Sequence, residues 1–287
     1  SGFDIPEDYM SYKIILDSCG ELPKELQNDS RFERVPLALD VGDYHILDDE
    51  TFDQKEFLQQ VAACPQCPKS SCPSPERYME ACNSPADHIY IITLSSHLSG
   101  SYNSAVLGKK LYEEKYGKKD ICVIDSQSAC CGQTQIGLLA AELEEADVPY
   151  FQIEKQLIQY RNEMKTYFVL DNLETLRKNG RLSAVKSMVA QTLNIKPVMS
   201  AISGVIIQKG QSIGIKKALA KMVDYMLKEI PDLKDRRIMI TQCNCPERAE
   251  LVKGFLQSKF PGKEIAVLEA RGVSSMYAND GGVVITA

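Results

Sequence analysis

The sequence predicts an α/β protein of two domains: an N-terminal α/β/α layer domain with a largely parallel sheet, then a C-terminal α+β domain. Three observations predict it. The chain has 287 residues, room for one large domain or two ordinary ones. Through the first half, short apolar runs alternate with segments of helical spacing, the pattern of β-α-β units. Beyond Pro149 that alternation gives way to paired strands mixed with helices. The boundary is expected near 150–165, which divides the chain into domains 1–160 and 161–287.

The elements follow in order. "YKIILDS" (12–18) is a short apolar run that ends in turn chemistry, a strand. "RFERVPLALDV" (31–41) reads as a second strand, with Pro36 placing it near a sheet edge or a strand start. "DDETFDQKEFLQQVAAC" (48–64) reads as a helix, acidic in its first turn and apolar at Phe57, Leu58 and Val61. "SPERYMEAC" (74–82) is another, with Ser74 as N-cap and Pro75 at the first helical position. "HIYIITLSS" (88–96) is a buried strand, and "GSYNSAVLGKKLYEEKYG" (100–117) the helix after it. "DICVIDS" (120–126) is again a strand, followed by a helix around 135–146.

In the second half, a helix is expected at 151–164, a strand at 165–171, and helices at about 172–178 and 183–193. "IKPVMSAISGVIIQKG" (195–210) is a hairpin turning near Ser203–Gly204. A helix at 216–230, a strand at 236–243, a helix at 246–260 and strands at 264–270 and 281–287 complete the chain.

Composition narrows the function. Hydrophobic residues make up 44% and charged residues 25%, a soluble globular balance with enough apolar content for a full core. The net charge of -6 and the absence of a Lys/Arg-rich block argue against a nucleic-acid partner. No apolar run approaches the roughly 18–20 residues that span a bilayer. The opening "SGFDIPEDYM" lacks a basic n-region and an apolar h-region, so no secretory signal is expected. With no export signal, the ten cysteines are expected to be reduced thiols in a cytoplasmic protein.

Four cysteines fall between 64 and 82, in "CPQCPKSSCPSPERYMEAC". A structural zinc usually takes two C-x2-C knuckles. Here there is one, Cys64–Cys67; Cys72 is a candidate third ligand, and Cys82 falls on the helix face of Tyr78 and Met79. The order also differs from ferredoxin-type runs. No metal or other cofactor is therefore expected. The phosphate-cradling G-x-x-x-x-G-K-[ST] and G-x-G-x-x-G loops are absent. "KNGRLS" (178–183) resembles a basic phosphate turn but reads better as a helix end capped at Gly180.

Hydroxyls are the denser signal. "KSSCPSP" (69–75) carries three serines, and "TLSSHLSGSYNSA" (93–105) puts five between a strand and a helix. Serines there ordinarily cap and turn the chain. They also sit beside a helix start, whose free N–H groups are anion donors, at the C-terminal end of a strand, where α/β proteins bind ligands. Asp17, just after the first strand, reads equally as a turn former or a ligand.

Taken in order, these stretches resemble the DegV family of bacterial fatty-acid-binding proteins. "KIILDSCGELP" is similar to the family's opening strand and D-S-T-x-x-L-P turn, and "VPLALDVGDYHILDD" to its P-L-x-[IV] strand and acidic turn. "KSSCPSPERYMEA" is similar to K-T-S-Q-P-S-P, with Ser70 for the threonine, Ser71 for the serine and Cys72 for the glutamine. "ITLSSHLSGSYNSA" resembles S-S-x-L-S-G-T-Y-x-S-A, and "VIDSQSACCGQ" resembles V-I-D-S-x-x-x-S-x-G. "YFVLDNLETLRKNGRLS" and "LNIKPVMSAISGVI" resemble Y-F-V-x-x-L-x-x-L-x-x-G-G-R and L-x-I-K-P-x-L-x-x-x-x-G. The likeness covers nearly the whole chain in sequence order.

The resemblance implies a carrier rather than an enzyme; a monomer is the default expectation. It would bind one long-chain fatty acid, with the carboxylate in an interdomain cleft and the acyl chain in an apolar tunnel. A separate fatty acid kinase would be its partner. The ligand-binding residues it implies are Ser70, Ser71, Cys72, Ser95, Ser96, His97 and Gly100, with Asp17 and Tyr277 beside them. Ser70 and Ser95 are expected to contact the carboxylate directly.

Two departures bear on this beside the changes at 70 and 72. Tyr277 stands where the family usually has a histidine before G-P-G; a phenol donates a hydrogen bond but does not exchange its proton near neutrality. Ile215 stands where members often carry an arginine before K-K-A-L. Two other readings compete: an enzyme using Asp17, Asp125 or His97 on an acyl or phosphoryl substrate, and a metalloprotein ligated through Cys64, Cys67, Cys72 and one more cysteine.

Overall fold

A computed structural model describes residues 11–185 and 194–287. The first half runs β1 (Tyr12–Asp17), β2 (Phe32–Val35), β3 (Ala38–Val41), β4 (Tyr44–Leu47), α1 (Gln54–Ala63), β5 (Lys69–Ser71), α2 (Pro75–Cys82), β6 (His88–Thr93), α3 (Ser101–Tyr116), β7 (Asp120–Asp125), α4 (Cys131–Glu145) and α5 (Tyr150–Glu163). The second half runs β8 (Thr166–Val169), α6 (Glu174–Lys178), β9 (Ile195–Ile202), β10 (Val205–Ile213), α7 (Ile215–Glu229), β11 (Ile238–Gln242), α8 (Pro246–Lys259), β12 (Ile265–Glu269), α9 (Gly272–Ala278) and β13 (Val283–Thr286).

The apolar runs of the first half form a parallel four-stranded sheet in the order β2-β1-β6-β7. A strand buried on both faces sends alternate side chains to opposite layers. Ile14 and Leu16 pack with Ile136 and Ala140 of α4 and Ile153 and Leu157 of α5. Ile15 and Ile91 pack on the other side with Tyr78 of α2 and Ala105 and Tyr112 of α3. The result is the expected α/β/α layering. The chain then crosses after α5 into a six-stranded mixed sheet, β10-β9-β8-β13-β11-β12. One face of that sheet (Tyr167, Val169, Val198, Ile240) is covered by α7 and α8. The other face (Phe168, Leu170, Met199, Val284) turns toward the first domain, where it meets Leu94 and Cys130.

The structure corrects several boundaries. The stretch 31–41 is two strands in different sheets: β2 pairs in parallel with β1, whereas β3 joins a small antiparallel sheet ordered β4-β3-β5. Pro36, which has no N–H, ends the first ladder, and the Leu37 N–H goes to Ser18 Oγ at 2.9 Å instead. The helix expected from 48 begins at Gln54, because Asp53 is the residue that caps it, accepting from Glu56 N–H. Asp48 does other work: fully buried, it accepts from the N–H groups of Gly272 and Val273 at the start of α9, at 2.8 and 2.9 Å. The short elements β4, β5 and α9 went unread. The hairpin turns at Ser203–Gly204 as expected. The helix expected at 183–193 falls largely on residues 186–193, outside those described. Among the described residues no helix is long and apolar enough to cross a membrane.

Candidate functional site

Asp17 at the end of β1 organises the loops at this edge of the parallel sheet. Its side chain is completely buried. One carboxylate oxygen accepts from Leu94 N–H and Ser101 Oγ, both at 2.7 Å. The other accepts from Gln133 Nε2 at 2.9 Å and Cys19 N–H at 3.2 Å. Burial pushes the Asp17 carboxyl above its usual range against the pull of these donors. The hub ties β1 to the β6–α3 loop, to α3 and to α4. Asp125 serves the same loop from β7, accepting from Ser96 N–H at 3.2 Å and Gln127 N–H at 3.0 Å.

The hydroxyl loop so fixed reaches the second domain. Ser95 is fully buried, and its hydroxyl donates to Gly204 O in the β9–β10 turn at 2.8 Å. The same oxygen accepts from His97 N–H at 3.3 Å. Gly204 has φ +83°, and a Cβ there would overlap the Ser95 hydroxyl. Only glycine therefore lets the turn come this close.

The second hydroxyl segment approaches from the small sheet. Ser70 lies on β5 opposite Leu39 of β3, and its Oγ is 3.0 Å from the Tyr277 hydroxyl at the end of α9. Asn179, just past α6, donates to Pro68 O at 2.9 Å and closes this corner.

Between these segments lies an apolar cavity, with the largely hydrophobic lining and few polar groups typical of small-molecule sites. Leu94, Leu98 and Cys130 of the first domain face Phe168, Leu176 and Ile206 of the second across it. Tyr277 and Arg181 are among its polar lining residues. The Arg181 guanidinium is committed to main-chain carbonyls, donating to Leu98 O at 2.8 Å and to Asn179 O. The Ser128 and Thr166 hydroxyls, 2.7 Å apart, satisfy each other in the wall.

The sequence-predicted residues thus fall into three groups. Ser70 and Tyr277 meet. Ser95, with His97 N–H on its oxygen, is held against the hairpin turn; among the described residues no hydrogen bond joins it to the Ser70–Tyr277 pair. Ser71 and Cys72 are exposed; the Cys72 Sγ is 3.6 Å from Ser104 Oγ and would lie 3.2 Å from a Cβ on Gly100. The side chains of Ser96 and His97 are exposed, and Asp17 is enclosed behind the loop. Gly180, with φ +74°, ends α6 as expected. Sequence reasoning missed the apolar walls and Arg181, whose position next to Gly180 was read only as a helix end. Among the described residues no group of three or more His, Cys, Asp or Glu side chains is placed to hold a metal ion.

Comparison with known proteins bears on this site. Residues 11–287 match the family described as "Uncharacterised protein, DegV family". A DegV domain-containing protein of Streptococcus pneumoniae is 32% identical over 283 residues, covering 96% of this chain and 98% of that protein. Among solved structures, a DegV family protein from Ruminococcus gnavus with vaccenic acid is 46% identical, with a TM-score of 0.93, covering 97% of this chain and all of that one. The fatty acid kinase B3 protein of Streptococcus pneumoniae, loaded with linoleic acid, is 30% identical, with a TM-score of 0.85, covering 96% of this chain and 99% of that one.

Proposed function

The chain belongs to the DegV family, and from that premise we propose that it binds one long-chain fatty acid and presents it to a separate kinase. The observation that carries this reading is the apolar cavity between the two sheets, with the Ser70–Tyr277 hydroxyl pair beside it. The solved relatives with vaccenic and linoleic acid support it. The domains divide near residue 160, so the ligand lies at their junction.

Burial of the acyl chain supplies the affinity. At ~0.8 kcal/mol per CH₂ a long chain gains on the order of 10 kcal/mol before the costs of association. The head group has only to avoid the penalty of an unpaired charge. Ser70 and Tyr277 now share one hydrogen bond; a carboxylate set between them would accept from both, and charge-assisted bonds are the stronger kind. The Ser95 hydroxyl, donated to Gly204 O, is a further donor on the adjoining loop.

A kinase partner fits a protein in which the acids at the strand ends beside the site already serve the fold. Asp17, Asp48 and Asp125 each accept at least two donors from the protein itself, which disfavours them as catalytic bases. Ile215 begins α7 half-buried against the second core, so a docking arginine at that position is replaced by an apolar contact. The test is organic extraction of the purified protein followed by mass spectrometry. A stoichiometric long-chain fatty acid is expected, and its loss in the Ser70→Ala, Ser95→Ala double variant. Retention unchanged in that variant, or no fatty acid in the wild-type protein, overturns the reading.

A further inference from the structure

Two cysteines outside the sequence-predicted site face the same cavity. Cys19, in the turn after β1, and Cys130, at the N-terminus of α4, both line it, and both are buried. Their sulfurs converge on one hydroxyl. The Cys130 thiol donates to Ser274 Oγ at 3.3 Å, and the Cys19 Sγ is 3.9 Å from the same oxygen. Sharing that hydroxyl makes each thiol the other's neighbour; the Cys19 thiol, ahead of burial, raises the Cys130 thiol, so Cys130 becomes a nucleophile only as its proton is drawn off through Ser274. The two segments run in contact: a Cβ on Gly20 would lie 3.1 Å from Gln133 Cβ.

Three further observations mark the pair. Cys130 has φ +56° and ψ −126°, backbone that favours glycine, yet a thiol-bearing residue is held there; strain of this kind collects at functional positions. Ser274 passes its own proton on, donating to a carboxylate oxygen of Glu21. Glu21 is buried, and burial raises it to about 7, so it exchanges a proton near neutrality. Glu21 also borders a second, polar cleft together with Arg34 and Arg271, which connects the relay to water. In the motifs set out above, Cys19 and Cys130 occupy a threonine and a serine position, so those motifs do not call for a thiol at either.

We propose that Cys19 and Cys130 form a redox-active dithiol in the cavity wall, whose oxidant is a hydroperoxide borne on the acyl chain of a bound unsaturated fatty acid. The proposal rests on the fatty-acid reading above. An apolar tunnel admits an apolar carrier in preference to free peroxide, so the chain delivers the oxidant to thiols that water reaches poorly. The Cys130 sulfur attacks the terminal oxygen of the hydroperoxide. The O–O bond breaks, an S–O bond forms, and Cys130 becomes a sulfenic acid. The departing alkoxide takes up the proton that Cys130 gave through Ser274 to Glu21, and leaves as the alcohol. Cys19 then attacks the Cys130 sulfur; the S–S bond forms, the S–O bond breaks, and hydroxide leaves with the Cys19 proton as water. The hydroperoxide is reduced by two electrons and the dithiol is oxidised to a disulfide, one turnover per pair.

The experiment uses the reduced full-length protein loaded with linoleic acid hydroperoxide, with palmitic acid loading as the binding control. One equivalent of hydroxy fatty acid and a Cys19–Cys130 cross-linked peptide are expected by mass spectrometry. Cys130→Ser should produce neither. Cys19→Ser should stop at a sulfenic acid that dimedone traps. Both replacements keep size and hydrogen bonding, and a melting temperature within a few degrees of wild type reports that each variant is folded. If the protein retains palmitate but its thiols survive the hydroperoxide, or Cys130→Ser reduces it as fast as wild type, the dithiol proposal fails and the fatty-acid reading stands. If palmitate is not retained, the fatty-acid reading fails and the proposal with it.

Discussion

Replacing Asp17 tests whether its buried carboxylate is the organiser of the site. The two obvious substitutions should differ sharply. In Asp17→Asn the amide oxygen can take the place that accepts Leu94 N–H and Ser101 Oγ, both at 2.7 Å. The amide nitrogen then faces two donors, Gln133 Nε2 and Cys19 N–H. Gln133 can adapt in part, because its Oε1 has no partner; turning its amide over lets it accept from the new nitrogen but gives up the long 3.4 Å bond from its Nε2 to Ile92 O. The buried Cys19 N–H and the turned Gln133 Nε2 are left unpaired, at a cost of ~1–3 kcal/mol each. In Asp17→Ala no such rescue exists. The N–H groups of Leu94 and Cys19 and the Gln133 amide all lose their acceptor, at about 1–3 kcal/mol each, a large share of the roughly 5–15 kcal/mol that holds a typical protein folded. At about 2–4 °C per kcal/mol for a chain of this class, the Asn variant should melt roughly 5 °C below wild type and the Ala variant more than about 10 °C below. Thermal melts at neutral pH, paired with fatty-acid retention, measure both. An Ala variant that melts with wild type, or that melts above the Asn variant, would refute the reasoning.

Other perturbations probe the remaining parts of the site. Tyr277→Phe and Ser70→Ala each remove one donor from the proposed carboxylate position; at ~1.5–3 kcal/mol for a bond to a charged group each should weaken fatty-acid binding roughly 10- to 100-fold, read by a competition assay. Gly204→Ala combines left-handed backbone at φ +83° with overlap on the Ser95 hydroxyl; a loss of about 2 kcal/mol is expected, and Ser95→Ala should relieve part of it in a double-mutant cycle of melting temperatures. Glu21 is raised by burial from 4.5 to about 7. Between those values the unfolded chain has released a proton that the folded one holds, so stability should fall as pH rises through this window, by about 3 kcal/mol, and level off above it. Glu21→Gln should flatten that slope in denaturant titrations across pH 4 to 8.

The fold was legible where periodicity was strong. The runs at 12–18, 88–96 and 120–126 are nearly unbroken apolar strands, and only a sheet covered on both faces accommodates them. What the sequence hid is short or polar. The strand β5 is three residues, Lys69–Ser71, with no apolar alternation to announce it; it exists because Leu39 and Asp40 offer it a ladder. Helix α9 has seven residues, and its start is capped from more than two hundred residues away by Asp48, a long-range bond that no local pattern encodes. The site divides the same way. Serine density in 69–75 and 93–105 pointed to both hydroxyl loops, because hydroxyls beside a strand end are a local signal. The partners of those hydroxyls, Gly204 and Tyr277, lie in the other domain. The apolar lining was invisible for a different reason: Leu94, Phe168 and Ile206 read as ordinary core, and only the space between the two sheets makes them a tunnel.

That division of labour leads to a prediction about ligand length. Among the described residues Arg181 is the one strongly basic side chain lining the cavity, and its Nε and Nη1 are turned to the carbonyls of Leu98 and Asn179. The head group is therefore left to neutral hydroxyls, which serve all fatty acids alike, and discrimination falls to the walls. Each methylene that finds wall contributes ~0.8 kcal/mol, so affinity should rise roughly fourfold per carbon across a saturated series. The rise should stop where the apolar walls end, because a further methylene must either displace packed side chains or return to water. A large-to-small change in the wall, Phe168→Ala or Ile206→Ala, should move that break to longer chains while leaving the slope below it unchanged. Tyr277→Phe should lower the whole series in parallel without moving the break. Binding that is flat in chain length, or a break that shifts with Tyr277 rather than with Phe168, would mean that the head group and not the tunnel sets the specificity.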